Sequence, residues 1–329
     1  MMRIAITGAT GFLGSRTAVA LAKLGHEVTG LGRNVMMGRK LEENDVYFNR
    51  CDLSNVAKLK EAFRGKDCVI HLAALTRPGA LPEEYRKSNI VGTRNVMQAM
   101  TGSSVKRWIH LSTSRLYAGG EERFGIRESQ SLAGRNAAEP FLESKRLNEV
   151  DIETFIKVPC LILRPQLIFG PGDRRLYPFL ARFARWGRVP HFDSGETFID
   201  PVYVDNVVDA IAAAIAANER VYDSAYNLSN GLPVENFAFL TSLAETLGRN
   251  VRGFHLPRER ALKIASLLER VYQALAPNSE TPLPSGYVRL FTESQTLNID
   301  AAKEAFGYRP KIDLKSGLQM LTRLPPHLR

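Results

Sequence analysis

Thr7-Gly8-Ala9-Thr10-Gly11-Phe12-Leu13-Gly14 is the stretch whose residue types and spacing carry the clearest chemistry. It joins a short apolar run, Arg3 to Thr7, to a segment from Phe12 to Leu24 whose apolar residues recur at helical spacing. In that setting Gly8 permits a tight turn, Gly11 lets backbone approach a pyrophosphate, and Gly14 lets the helix pack close to the sheet. The unpaired N–H groups and positive dipole end of the helix then face the phosphates. Gly8, Thr10, Gly11, Phe12, Leu13 and Gly14 are therefore expected around a dinucleotide. A Walker-type loop is excluded, because no Gly-Lys-Ser/Thr follows. Where NAD-using folds place an acidic side chain at the end of the second strand, this chain reads Gly30-Leu31-Gly32-Arg33-Asn34. No carboxylate is there for a ribose 2′-hydroxyl. Gly32 leaves room, and Arg33 can stack on adenine and meet a 2′-phosphate, so the expected cofactor is NADP, with NAD as the alternative.

Other reactive side chains are less pointed. His71, His110 and His191 lack metal-ligand spacing, and His71 and His110 fall on strands expected to be buried, so no metal is expected. Cys51, Cys68 and Cys160 are few, odd in number and far apart, which excludes a disulfide framework and fits a reducing cytosol. Arg174, Arg175 and Arg182 form a basic cluster with two readings, a solvated surface or a contact with an acidic substrate.

The elements that must hold these residues alternate. Strands are expected at Arg3–Thr7, Glu27–Leu31, Asp45–Phe48, Cys68–Leu72, Arg107–Ser112 and Cys160–Leu163. Helices are expected at Phe12–Leu24, Val56–Phe63, Asn89–Met100 and Glu139–Ile156. Apolar strands mostly separated by helices predict an α/β fold with a doubly wound parallel Rossmann sheet covered on both faces. Residues 1–165 would form this domain and 166–329 mainly a smaller, interleaved substrate lobe. Within the latter, 200–230 would return to the sheet through a helix at Val207–Ala217 and a strand at Ala225–Leu228. Ala261 to Leu275 repeats apolar residues along a helical stripe, expected to pack on the lobe's own core or on a partner subunit. Its length and its charges exclude a membrane span but not an interfacial contact.

Composition agrees with a globular chain. Of 329 residues 44% are hydrophobic and 24% charged, which excludes disordered, collagen-like and coiled-coil classes. The formal charge of +10 is spread along the chain, so it suits an anionic small molecule and argues against nucleic acid. With no apolar run long enough to span a bilayer and a strand at its start, the chain is expected to be cytoplasmic.

Beyond the glycine loop, short pieces recur in one order: Asp52-Leu53, His71-Leu72-Ala73-Ala74 and Asn89-Ile90-Val91-Gly92-Thr93. Ser112-Thr113-Ser114 before Tyr117, Ser144-Lys145, Leu163-Arg164-Pro165 and Tyr203-Val204-Asp205-Asn206-Val207-Val208 complete the series. Together they resemble the extended short-chain dehydrogenase/reductase family of NAD-dependent epimerase/dehydratase type. The character is closest to the 3β-hydroxysteroid dehydrogenase and ketoreductase group. The resemblance implies that Asp52 and Leu53 flank the adenine, and that Leu72, Ala73, Ala74, Asn89, Lys145 and Pro165 complete the cofactor site. It implies a homodimer built on the helices at Asn89–Met100 and Glu139–Ile156. It also implies a catalytic set of Thr113, a tyrosine and Lys145, with the tyrosine four residues before the lysine. That position holds Phe141, which has no proton to give, and no tyrosine lies between Tyr117 and Tyr177 to rescue the pattern.

Three explanations stand. The chain binds the cofactor without turnover, another acid such as Tyr117 or a water held by Thr113 and Lys145 substitutes, or a tyrosine has been deliberately replaced. The resemblance implies transfer of hydride between NADP(H) and a secondary alcohol or ketone. Sugar-nucleotide epimerases usually place a diphosphate-binding arginine where this chain has Ile199, so an apolar substrate is the expectation and an epimerase the alternative.

Overall fold

The computed structural model describes residues 1–118, 123–133, 139–156, 158–192, 197–248, 250–276 and 279–322. Seven strands form its central sheet: β1 (Arg3–Thr7), β2 (Glu27–Gly32), β3 (Tyr47–Arg50), β4 (Cys68–His71), β5 (Arg107–Leu111), β6 (Cys160–Pro165) and β7 (Ser224–Leu228). Their order is β7-β6-β5-β4-β1-β2-β3 and every pairing is parallel. Parallel strands need crossovers, and the crossover helices cover both faces, which is why β1 and β4 are almost wholly apolar and buried. Two buried clusters result, a large one that includes Ile4 and Ile6 and a smaller one around Ala5, Val69 and Trp108. The strand order reverses between β1 and β4, and a crevice opens beyond the carboxyl ends of strands at such a point.

Helix α1 (Phe12–Lys23) follows β1, α2 (Val35–Glu42) follows β2 and α3 (Val56–Phe63) follows β3. The apolar spacing of the sequence predicts no helix at α2. Its one signal was Asn34, whose side-chain oxygen caps the helix by accepting from the Met37 N–H at 3.1 Å. Asp45 takes a left-handed φ of 60° to end that segment, which shifts the expected third strand from Asp45–Phe48 to Tyr47–Arg50. The helix expected at Asn89 begins earlier. A turn at Pro82–Tyr85 runs through a π-helical stretch, Arg86–Val91, into α4 (Gly92–Met100).

The later elements interleave with the sheet. Helix α5 (Pro140–Phe155) leads to β6, and α6 (Leu176–Ala184) opens the second lobe. The chain then returns through α7 (Val204–Ala216), which packs on α1 and is tied to it by Arg16 and Asp205 at 2.8 Å, and through β7 on the outer edge. The lobe adds short parallel pairs, such as Arg188–His191 with Arg252–His255. Helix α8 (Arg258–Leu275) carries the expected apolar stripe. It buries Ala261 and Ala265 but leaves Ile264, Leu267, Val271 and Leu275 exposed, so much of its apolar stripe does not pack on its own core. Among the described residues no helix is long and apolar enough to cross a membrane.

Candidate active site

The phosphate loop sits at the switch point. Gly8 adopts φ +74°, and a Cβ there would lie 2.7 Å from the backbone of Ala73, so the loop presses directly on the end of β4. Gly14 is demanded by contact instead, because its Cβ would fall 2.1 Å from the Gly8 carbonyl oxygen. The first helical hydrogen bond of this turn is Ser15 N–H to Gly11 O at 3.0 Å. The N–H groups of Phe12, Leu13 and Gly14 thus precede the intrahelical ladder. No side chain caps the helix and no acidic residue occupies its first turn. This cradle of donors beside bare backbone fits a diphosphate.

Just past the ends of β2 and β3, Arg33 and Asp52 come together, with 3.6 Å between Nη1 and Oδ2, and the Arg33 side chain is 80% exposed. Hydrogen bonds from Ser54, with help from Arg33, hold the Asp52 carboxyl below its ordinary range. The space beside Gly32 has a different use from the one expected. Thr10 fills it, with its Oγ1 only 2.6 Å from where a Cβ would stand, so Gly32 accommodates the phosphate loop and not the ligand. Leu53 packs under Gly92 and accepts from the Asn95 side chain at 2.8 Å.

A cleft of about 580 Å³ runs from this cradle into the second lobe. Gly8, Gly11, Phe12, Leu13, Gly14, Leu72, Ala74, Thr113, Phe141, Lys145 and Pro165 all line it, so residues more than a hundred positions apart meet on one wall. Lys145 is buried, and its Nζ donates to the Leu111 carbonyl at 2.6 Å. Desolvation lowers its pKa to about 8 against the opposing pull of Glu149. Thr113 starts a short helical turn and accepts from the Arg115 N–H at 3.3 Å. The neighbouring Ser112 hydroxyl is buried and has no hydrogen-bond partner among the described residues. Phe141 lies one turn before Lys145 on α5, its ring 6.0 Å from that of Tyr85.

Several expected residues act at one remove. Asn89 is buried and its amide is spent inside the protein, accepting from Leu75 N–H at 2.7 Å and donating to Leu75 O at 3.1 Å and to Ser144 Oγ at 3.0 Å. It braces the strand end bearing Ala73 and Ala74 against α5, a role that the π-helical stretch makes possible by turning it inward. His71 bridges Thr7 at 2.6 Å and Thr93 at 2.9 Å, and burial drives its pKa down to about 3, so it stays neutral in the core. Tyr117 does not line the cleft. Its hydroxyl accepts from Arg164 at 2.6 Å and donates to Asn227 at 3.2 Å, and burial raises its pKa. It is therefore not positioned as the substitute acid. Ile199 is fully buried in the lobe core.

Sequence reasoning missed Tyr85, Tyr287 and the Arg115–Glu139 ion pair (3.0 Å), all on the cleft wall. None carries a motif, and only the approach of the two lobes assembles them. Among the described residues no group of three His, Cys, Asp or Glu could hold a metal.

A seven-stranded parallel Rossmann sheet with a glycine cradle at its switch point defines a dinucleotide-binding α/β protein. Residues 4–229 match the NAD dependent epimerase/dehydratase family, and the chain belongs to it. It is 29% identical over 326 residues, 99% of this chain and 97% of the relative, to a 4-hydroxy-2-methyl-3-oxo-4-farnesyl-3,4-dihydroquinoline-1-oxide ketoreductase of Stigmatella aurantiaca. A 2-alkyl-3-oxoalkanoate reductase of Stenotrophomonas maltophilia is 27% identical over 326 residues, covering 97% of this chain and 98% of its own. Among solved structures, UDP-glucuronic acid 4-epimerase from Bacillus cereus with UDP-glucuronic acid and NAD superposes with a TM-score of 0.75. The identity is 22% and 98% of each chain is covered, a likeness of fold.

Proposed function

We propose that the chain is an NADP(H)-dependent ketoreductase acting on a largely apolar ketone or secondary alcohol. The observation that carries this reading is the single cleft shared by the phosphate cradle, Thr113 and Lys145, whose far part is walled by apolar side chains such as Leu142, Leu167, Leu176 and Leu290. When bound, the nicotinamide supplies or accepts hydride. Lys145 holds the adjoining ribose, and Thr113 orients the substrate oxygen. Arg33 meets the 2′-phosphate, since its guanidinium is exposed and only loosely held by Asp52. The relatives that reduce ketones support the reaction type, and the burial of Ile199 speaks against a sugar-nucleotide diphosphate at that position. The homodimer has exposed apolar residues on α5, Val150 and Phe155, to build on.

A second reading, a cofactor-binding protein with little turnover, is favoured by one specific observation. Phe141 stands where a proton donor belongs and Tyr117 is committed elsewhere. Titration with NADPH and NADH, followed by turnover on apolar ketones and on nucleotide sugars, separates the two. Binding with ketone reduction upholds the first reading. Binding without turnover, unaltered by Phe141→Tyr, upholds the second, and turnover confined to nucleotide sugars overturns both.

A further inference from the structure

Of the three arginines grouped in the sequence, the structure sends each to a different place. Arg174 is exposed outside the cleft. Arg182 donates to the Thr281 carbonyl at 3.0 Å. Arg175 lines the cleft. The other charged groups on that wall have local partners, although the buried Arg115 Nε finds none among the described residues. Arg115 and Glu139 pair with each other, Glu269 holds the Ser285 N–H and hydroxyl at 2.9 Å, and Asp173 accepts from the backbone N–H groups of Arg175, Leu176 and Tyr177.

Arg175 differs. One of its guanidinium N–H groups donates to Glu280, a residue that does not line the cleft, and its other guanidinium donors have no partner among the described residues. The second oxygen of Glu280 lies 3.9 Å from Arg182. Glu280 therefore holds a carboxylate against a planar, five-donor cation on the cleft wall, beside apolar side chains such as Leu176 and Leu290, and the cation's remaining donors suit bidentate recognition. Arg175 and Tyr85 line the same cleft, and the Tyr85 ring is 6.0 Å from Phe141.

We infer that Arg175 is the specificity-determining residue for a substrate carboxylate, and that the preferred substrate is an oxo acid with apolar substituents, or its hydroxy acid, whose carboxylate displaces Glu280 from Arg175. The inference rests on the ketoreductase reading for the reacting end and adds the polar end. In the substrate complex the ketone carbon lies toward Thr113 and Lys145 and the carboxylate reaches the second lobe. Glu280 acts as an internal competitor that keeps the arginine paired when the cleft holds no acid.

The test uses the full chain saturated with NADPH and measures, by calorimetry, the affinity for a branched long-chain 3-hydroxy acid and for its methyl ester. Arg175→Gln lowers the ratio of acid to ester affinity by about tenfold or more, the worth of a charge-assisted hydrogen-bonded pair. Arg175→Lys, which keeps the charge but not the fork, retains part of the ratio. Glu280→Gln raises affinity for the acid several-fold because the competitor is gone. Retained NADPH binding certifies that each variant is folded. Equal losses for acid and ester in Arg175→Gln, or an acid affinity unchanged or weakened in Glu280→Gln, overturn the inference. If the acid binds with this dependence yet the matching oxo acid is never reduced, even with tyrosine restored at 141, the Arg175 assignment stands and the ketoreductase reading fails.

Discussion

Adding a hydroxyl at position 141 is the sharpest perturbation that the cleft offers. Phe141→Tyr adds one oxygen to a ring already on the cleft wall, one helical turn before Lys145 and on the wall that also bears Thr113. With a pKa of about 8, Lys145 is still protonated at pH 7 by roughly ten to one, so the new phenol faces a buried cation that favours its ionised form. Positioned acid–base catalysis is worth about 10²–10⁴-fold, or about 3–5 kcal/mol of barrier. Opposing this, a buried hydroxyl left without a partner costs about 1–3 kcal/mol of stability. The unpartnered Ser112 hydroxyl on the same wall offers a partner. The expected outcome is a gain of at least about a hundredfold in kcat for ketone reduction with at most a modest loss of stability. Stopped-flow loss of NADPH absorbance, paired with urea unfolding, reads both quantities. The rate of the variant should also decline as pH rises past about 8, where Lys145 gives up its proton. A variant that binds NADPH normally yet gains less than about tenfold would show that position 141 is not the place of the missing acid.

Arg33→Ala should weaken NADPH by about tenfold or more and leave NADH almost unchanged; equal loss for both cofactors, measured by fluorescence titration, would remove the 2′-phosphate role. Tyr117→Phe should cost about 1–3 kcal/mol in urea unfolding, because Arg164 and Asn227 lose their partner, while turnover per folded molecule stays the same. A drop of a hundredfold in turnover would instead return Tyr117 to the list of acids. Lys145→Met should abolish the cofactor-induced thermal shift. It should also flatten a pH dependence, because folding pushes the lysine pKa down, so the unfolded chain binds more protons between about pH 8 and the ordinary lysine value. The penalty is present in full below pH 8 and relieved as pH rises through that window, making wild-type protein gain up to about 3 kcal/mol relative to the variant. Parallel unfolding curves for the two proteins across that range would contradict the assignment.

The residues themselves determined much of this protein. Alternating apolar strands and helices demanded a parallel sheet, and the glycine spacing placed a phosphate cradle at the first turn, because period and local steric need are written in consecutive residues. The spacing of Phe141 and Lys145 was equally legible, since the two share one helix and are separated by one turn. What lay beyond reach depended on segments distant in the chain. The space beside Gly32 belongs to Thr10 because β2 and the phosphate loop meet side by side. Asn89 faces inward to Leu75 and Ser144 because a π-helical stretch shifts its direction, which no apolar period reports. Tyr117 read as a possible acid until the sheet brought Arg164 and Asn227 to its hydroxyl. The three arginines after the sixth strand looked alike, and only the approach of the second lobe left Arg174 in solvent while setting Arg175 in the cleft against Glu280. Periodicity encodes which way a side chain points on its own element; which partner it finds there is decided by packing between elements, and that is a property of the folded chain.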